Sequence, residues 1–540
     1  MPSHTHRLAA ADAASATADT TDTIAAIATP PGAGGIGIVR LSGPRAFAIG
    51  RALFRPAGKL SRAHPDWTPP SHRLTYGHIV DPATGEPVDE ALAAFMRAPH
   101  TYTREDVVEL NAHGGPLLLR RVLALALAAG ARAARPGEMT LRAFLNGRLD
   151  LAQAEAVMAL IQAESEAGLR LALRQLTGDL SARVRAVREP ALQAMVRIEA
   201  SNDFPEDEVD VPDRTALGAL VARARAEAAD LLAGAERGRV LREGLRVVIL
   251  GRPNVGKSSL LNALLGHERA IVTPIAGTTR DTVEEVASVR GIALHLVDTA
   301  GLTASQDPIE RLGVERSRAA AASADLVLFV LDTSESLTDA DRDAAREVRA
   351  LGFGGPGDDG ADGAAVGRPE DAPTDEPGER GGRSPNAPTD GQAANVTIAE
   401  AMRGDPWVGR ALVVVLNKAD LPTVWGEERA HALWPDAAVV PSSSVAPGGT
   451  DALEEAIAGL VLGGQAHGAD PLVASVRHRD ALRRAADALA NSTTALANAT
   501  PLDFVALDLR EALDALGEIT GETATGDLLD RIFAEFCIGK

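Results

Sequence analysis

Three short stretches of the 540-residue chain carry residue types, in an order, that could bind and cleave a nucleoside triphosphate. The first, Gly251-Arg-Pro-Asn254-Val255-Gly256-Lys257-Ser258, follows the apolar run LRVVIL and leads into SSLLNALLG, which has helical periodicity and a C-cap expected at Gly266. In such a loop, backbone N–H groups and the positive end of the next helix surround phosphate oxygens, the Lys reaches the β and γ phosphates, and the Ser hydroxyl ligates Mg²⁺. Asn254 through Ser259 are therefore the expected phosphate contacts. The second stretch, Asp298-Thr299-Ala300-Gly301, ends the strand-like LHLVD; its carboxylate can hold the metal's water shell, and the Gly301 N–H can sense the γ-phosphate. The third, Asn417-Lys418-Ala419-Asp420, ends LVVVLNKAD. A carboxylate there accepts from guanine N1–H and the exocyclic amine, whereas adenine would leave it unpaired, so the pattern predicts GTP rather than ATP. Where many such sites carry a water-orienting Gln, this chain has Leu302, so catalytic charge must come from elsewhere.

Other groups are weaker candidates. Gly32-Ala-Gly34-Gly35-Ile-Gly37 has the dinucleotide-binding spacing, but IGIVRLSG continues as a β-branched alternation instead of opening a helix, which excludes that reading. His113 has no second ligand at metal spacing. Asp203-Phe-Pro-Glu206 reads as a helix break at Pro205. Cys537, near a helix end, reads from sequence as packing, and Gly and Lys in the last two positions make a poor prenylation box.

The elements that must position these groups divide the chain. Short β-branched runs and Ala/Leu helices over 22–149 predict an α/β domain, and helical spacing over 150–243 and 464–540 predicts an all-α domain. Strands alternating with helices over 244–463 predict a doubly wound parallel sheet inserted into the helical domain. The fold class is thus α/β plus all-α. Residues 1–21 read as a disordered leader, with no apolar core for a signal peptide, and the Gly/Pro-rich acidic insert 352–395 reads as disordered. One cysteine excludes disulfides and Cys-based zinc sites, and together with the leader it points to a cytoplasmic protein. No apolar run spans a membrane. A net charge of −20 with 3% aromatics excludes a coat for nucleic acid, so any RNA contact must be local.

The segments TIAAIATPPGAGGIGIVRLSG, TYTREDVVELNAHGG, ARPGEMTLRAFLNGRLDLAQAEAV, AGTTRD and the terminal FCIGK closely resemble the MnmE (TrmE) family of tRNA-modification GTPases, over nearly the whole chain apart from leader and insert. The resemblance implies an N-terminal folate-binding domain, a helical domain and an inserted Ras-like G domain. It implies a homodimer that works with the flavoprotein MnmG on tRNA, adding a carboxymethylaminomethyl or aminomethyl group at C5 of the wobble uridine.

It also implies roles for individual residues. Asn254, Thr273, Ile275 and Thr278 match a K⁺ site that stands in for an arginine finger, and Thr279 matches the threonine that completes the Mg²⁺ shell with Ser258. Pro274, Ala276 and Gly277 fall in the same nucleotide-contacting switch. Glu310, by itself a solvated helix-face acid, matches the water-orienting carboxylate and joins Lys257 as catalytic. By register, Ser443, Ser444 and Val445 match the guanine-edge loop, which departs here from its usual Ser-Ala-Lys form. Arg40, Glu109, Arg148 and Lys540 match contacts to 5-formyltetrahydrofolate, with Arg148 where the family often has Lys. Cys537 takes a role in tRNA modification rather than in GTP hydrolysis. The alternative is a ribosome-assembly switch GTPase, for which the appended RNA-binding module is missing from the sequence.

Overall fold

A computed structural model of the chain describes residues 21–58, 67–203, 213–267, 284–297, 324–350, 352–353, 411–462 and 471–539. The leader, Phe204 to Glu206, the segments 268–283 and 298–323, Lys540 and nearly all of the insert lie outside the described residues. Two compact units emerge, one of Met1–Ala163, Gly168–Arg242 and Gly468–Lys540, the other of Glu164–Ala167 and Glu243–His467.

The first unit opens with β1 (Ile24–Ile27), β2 (Gly34–Ser42), α1 (Ala46–Leu53), β3 (Phe54–Pro56), β4 (Leu74–Val80), β5 (Pro87–Met96), β6 (Val107–Gly114), α2 (Pro116–Ala128), β7 (Arg132–Ala133) and α3 (Glu138–Leu145). The strands form one sheet in the order β3-β4-β5-β6-β2-β1-β7. Period-two alternation sends Ala91, Ala93 and Phe95 of β5 and Val108, Leu110 and Ala112 of β6 into a core with Ile49 and Leu53 of α1 and Val122 of α2. The opposite alternation leaves Leu74, Tyr76 and Leu92 exposed, with Tyr76 directly opposite Leu92. As the alternation in IGIVRLSG requires, the glycine-rich stretch runs into strand β2. Arg142 of α3 is 1% exposed and bonds Asp22 (2.5 Å), Glu105 (3.2 Å) and Glu138 (3.3 Å), fixing the loop that carries Tyr102.

The chain then becomes helical: α4 (Leu151–Gln162), α5 (Glu166–Thr177), α6 (Asp179–Asp203), α7 (Arg214–Ala233) and α8 (Ala235–Glu243). Asp150 starts α4 through a capping box with Gln153. In α6 the buried residues Leu180, Val184, Val187, Ala191, Ala194 and Ile198 recur at four and three, a single helical stripe.

The second unit supplies β8 (Leu245–Leu250), α9 (Lys257–His267), β9 (Glu284–Val289), β10 (Ile292–Val297), β11 (Leu326–Asp332), α10 (Asp339–Ala350), β12 (Ala411–Asn417), α11 (Glu427–Leu433), β13 (Ala438–Pro441) and α12 (Asp451–Leu462). Its sheet runs β13-β12-β11-β8-β10-β9, parallel except for the antiparallel edge pair β10–β9. Every residue of β11 is buried, as expected of a strand in a parallel sheet covered on both faces. Gly266 lies inside α9 instead of capping it, since without a positive φ glycine simply continues the helix.

The first unit resumes with α13 (Val476–Ala497), α14 (Leu502–Thr520) and α15 (Gly526–Ala534). Helices α13 and α14 pack on α6 and α7 around Val187, Leu217, Val221, Leu482, Leu489, Leu509 and Leu516. Arg477 of α13 clamps Glu155 of α4 through Nε (2.8 Å) and Nη2 (3.0 Å) and donates to the Glu518 carbonyl (2.6 Å), while His478 Nε2 lies 2.6 Å from the same carboxylate. Burial alone would raise the Glu155 carboxyl, but His478 and the Arg477 guanidinium hold it far below the usual carboxylate range.

Removing a buried, paired charge costs about 3 kcal/mol or more, so Glu155→Gln should lower stability by that order at neutral pH in chemical denaturation of the full chain. The folded-state pKa is depressed, so this stabilisation is fully present above the unfolded value near 4.5 and is lost progressively as pH falls below it. The gap between wild type and variant should therefore narrow on acidification below about pH 4. A gap that stayed constant would contradict the assignment.

Candidate functional site

In the second unit, the loop 251–256 leaves the carboxyl end of β8 and turns into α9, with Lys257 as the helix's first residue. The Lys257 ammonium folds back over the loop and donates to the carbonyls of Gly251 (2.9 Å) and Arg252 (2.8 Å). Asn254 holds φ +67° and is exposed. Gly256 has φ +99°, and a Cβ there would stand 2.3 Å from Asn417 Nδ2, so this position needs glycine on both counts. Ser258 and Ser259 are exposed on the first turn, where a hydroxyl can reach a metal or a phosphate.

Strand β12 delivers Asn417 and, just beyond it, Lys418 and Asp420 to the same end of the sheet. Asn417 is buried, and its Nδ2 donates to the Val255 carbonyl at 2.8 Å. Lys418, at φ +62°, pairs its ammonium with Asp332 at 2.5 Å. Burial would raise the Asp332 carboxyl, but hydrogen bonds from Lys418 and Ser334 bring it below its ordinary value, so it stays an anion. Asp420 is exposed, and its Oδ1 accepts from Ser443 Oγ (2.6 Å). Ser444 Oγ donates to Asn417 Oδ1 (3.2 Å), the Ala419 N–H donates to the Ser442 carbonyl (3.1 Å), and Val445 N–H lies 3.4 Å from Ser443 Oγ. The serine loop after β13 is thus bound to the end of β12 by side chains as well as backbone.

Sequence reasoning missed three supporting groups here. Arg252, inside the phosphate loop, is held by Asp341 (3.0 Å) and Glu335 (2.7 Å) of the β11–α10 region. Asp332 ends LVLFVLD, and a carboxylate closing a fully apolar strand was the legible signal for the Lys418 partner. Thr333 Oγ1 donates to the Asn417 carbonyl at 3.0 Å. Thr273, Pro274, Ile275, Ala276, Gly277, Thr278, Thr279, Asp298, Thr299, Ala300, Gly301, Leu302 and Glu310 lie outside the described residues.

In the first unit, Arg40 of β2 and Glu109 of β6 are direct cross-strand partners joined at 2.8 Å. Arg40 Nη1 also donates to the Gly539 carbonyl at 3.3 Å, and the Gly137 N–H lies 3.5 Å from the Cys537 carbonyl. Gly539 has φ +96°, and a Cβ there would meet the Ile27 carbonyl at 2.4 Å, so only glycine lets the tail lie this close to β1. The Arg148 guanidinium sits 4.8 Å over the Tyr102 ring and donates to the Tyr102 carbonyl at 3.2 Å. Burial raises the Tyr102 phenol, and its hydrogen bond with Thr140 acts to lower it. The ring packs against the buried group of Ile24, Ala26, Ala134 and Met139, and Ala26 is the cross-strand partner of Arg40. Arg40, Glu109, Arg148, Tyr102 and the tail therefore form one cluster, in which Tyr102 and Gly539 fall within the resembling segments TYTREDVVELNAHGG and FCIGK but had no role assigned from sequence. Cys537 is exposed, so packing does not account for it. His113 pairs with Asp89 of the neighbouring strand at 2.8 Å, an exposed ion pair rather than a metal site.

Residues 151–537 match the family description "MnmE helical domain", and residues 23–148 match "GTP-binding protein TrmE N-terminus". The chain is 47% identical to a protein of Chloroflexus aurantiacus named tRNA modification GTPase MnmE, over 96% of this chain and 100% of that one. Proteins of the same name from Enterococcus faecalis and Geobacillus thermodenitrificans are 41% and 42% identical over 96% of this chain, with 98% and 99% of their own lengths covered. With full-length relatives at this identity and both family descriptions matched in order, the chain belongs to the MnmE family of tRNA-modification GTPases.

Proposed function

We propose that the chain hydrolyses GTP with potassium assistance and, with the flavoprotein MnmG, drives addition of a carboxymethylaminomethyl or aminomethyl group at C5 of the wobble uridine of certain tRNAs. The observation that carries the GTP half is the direct tie between the two halves of the site, Asn417 Nδ2 to the Val255 carbonyl, with Asp420 presented beside it by Ser443. In this reading Asp420 accepts from the guanine edge, Lys418 covers the base, Ser443, Ser444 and Val445 close its rim, and Lys257 exchanges its carbonyl partners for β and γ phosphate oxygens.

Ser258 with Thr279 would hold Mg²⁺, and Asn254 with Thr273, Ile275 and Thr278 would hold K⁺; the hard oxygens of an exposed serine hydroxyl and an exposed asparagine amide suit both ions. Bound there, these cations supply positive charge against the charge that develops between β and γ phosphates. Asp298 and the Gly301 N–H read the metal shell and the γ-phosphate, and Glu310 orients the attacking water that Leu302 cannot polarise.

The N-terminal cluster fits 5-formyltetrahydrofolate by its donor set. Arg40, with Nε on Glu109 and Nη1 on the tail, offers its remaining Nη2 to a glutamate carboxylate, Glu109 an acceptor to the pterin edge, Arg148 with Tyr102 a cation and an aromatic face, and Lys540 a further charge. Cys537, exposed beside this cluster, serves the modification chemistry. The exposed Leu74, Tyr76 and Leu92 on the sheet's open face, with Ile36 at 68% exposure, support a homodimer through this domain. Among the described residues no helix is long and apolar enough to cross a membrane, and a cytoplasmic location is part of the proposal. The domains follow as 22–149, then 150–243 with 464–540, and the G domain 244–463.

GTP turnover should be at least about tenfold faster in KCl than in NaCl at equal ionic strength, because a correctly sized cation replaces a transition-state charge; equal rates overturn the potassium assignment. Asp420→Asn should weaken GTP binding by about 100-fold or more while gaining xanthosine triphosphate, whose C2 carbonyl accepts from the new amide. Retained GTP affinity would remove Asp420 from base recognition. Nucleoside analysis of tRNA from cells lacking the protein should show wobble uridines without the C5 group, and unchanged wobble uridines would reject the tRNA half.

A further inference from the structure

In the first unit, α4, α8, α13 and α15 line an open cleft of ≈ 390 Å³ that none of the roles above uses; its edge at Phe536 precedes the tail that meets Arg40. Its lining combines an apolar wall group of Met158, Leu528, Ile532 and the buried Phe536 with three arginines, Arg242, Arg477 and Arg531.

Arg477 is rigid, since Glu155 and the Glu518 carbonyl hold its guanidinium. Arg242 and Arg531 differ from it: both are exposed, and neither guanidinium has an acidic or carbonyl partner among the described residues. Glu155 is fully engaged, so Glu535 is the carboxylate on the lining that opposes them. Ser475, also on the lining, is the N-cap of the 22-residue α13, yet its hydroxyl makes no capping bond. Two unpaired arginines, an anchored third and a free hydroxyl at a helix N-terminus converge on one basin in a chain whose net charge is −20. The lining sets these three arginines against two carboxylates, Glu155 and Glu535, a formal surplus of one positive charge.

A bare anion would gain nothing from the apolar wall, and an apolar ligand nothing from the arginines. The combination suits a nucleotide, with its base against Ile532 and Phe536 and its phosphate forked by guanidinium groups. We infer that this cleft binds a nucleotide phosphate, supplied by an RNA strand. The inference rests on the reading that tRNA is the substrate, and a free nucleotide is the other source of the same chemistry.

The test measures binding of labelled tRNA to the full chain between about 50 and about 200 mM salt, with UMP and inorganic phosphate as separate ligands. The double variant Arg242→Gln/Arg531→Gln should bind tRNA about tenfold more weakly and flatten the log–log salt slope by between about one and two, since a protein that neutralises fewer phosphates releases fewer counterions. Both positions are exposed, and unchanged circular dichroism confirms that the fold is intact. Arg223→Gln/Arg225→Gln, on the exposed face of α7, should leave affinity and slope close to wild type. UMP binding that responds to the cleft substitutions when tRNA binding does not assigns the cleft to a free nucleotide. Response of inorganic phosphate alone, equal loss in the control pair, or a double variant that binds every ligand as wild type does overturns the inference. The tRNA-substrate reading stands or falls separately, on the wobble uridines.

Discussion

One side-chain amide holds the nucleotide site together. Asn417 Nδ2 donates to the Val255 carbonyl at 2.8 Å, with Asn417 2% and Val255 0% exposed. A hydrogen bond between buried partners is stiff, because breaking it strands two polar groups in a low-dielectric interior. The loop that would cradle phosphates and the strand that would read the base therefore move as one body, though 162 residues separate the bonded pair. The neighbouring contacts lean on it. Ser444 reaches the same asparagine, Thr333 its carbonyl, and Gly256 has no side chain because the amide occupies the space.

Around that bond the charged groups are arranged in mutual restraint. Asp332 holds Lys418, and Asp341 with Glu335 holds Arg252, so the elements following β11 steady both the base loop and the phosphate loop. Asp332 and Asp341 are buried, and these pairings offset their desolvation, while Glu335 is exposed. In the first unit the same logic recurs with Arg142, whose buried guanidinium gathers Asp22, Glu105 and Glu138 and so steadies the loop of Tyr102. The phosphate loop, the stretch after Asn417 and the loop of Tyr102 are each steadied by a buried ion: Asp341, Asp332 and Arg142.

The strands and the phosphate loop were legible because both are local: an unbroken apolar run fixes a covered parallel strand, and glycine spacing fixes the loop. The pairing of Arg40 with Glu109 was not, since it depends on the register of two strands 69 residues apart. The same holds for Lys418 with Asp332 and for the tail against β1, where Gly539 meets the Ile27 carbonyl. Gly266 misled in the other direction: an isolated glycine at the end of a periodic run looks like a cap, yet it continues α9. Residue type marks what a group can do, and only the fold decides which partner it meets.

The helical bundle is made of halves that the chain writes far apart, α6 and α7 before the nucleotide-binding unit and α13 and α14 after it. Ribosomes add about 5–20 residues per second, so the stripes of Leu180, Val184, Val187 and Leu217 emerge many seconds before Leu482, Leu509 and Leu516 exist to cover them. Early helices must wait with their apolar faces wet, which makes them natural clients for a chaperone. Residues near the two ends of the intervening unit, Gly238 and Val473, lie in close approach. Once folded, that unit holds a long stretch of chain compact, so the loop that bundle closure has to span is shorter than the gap between residues 243 and 471 suggests.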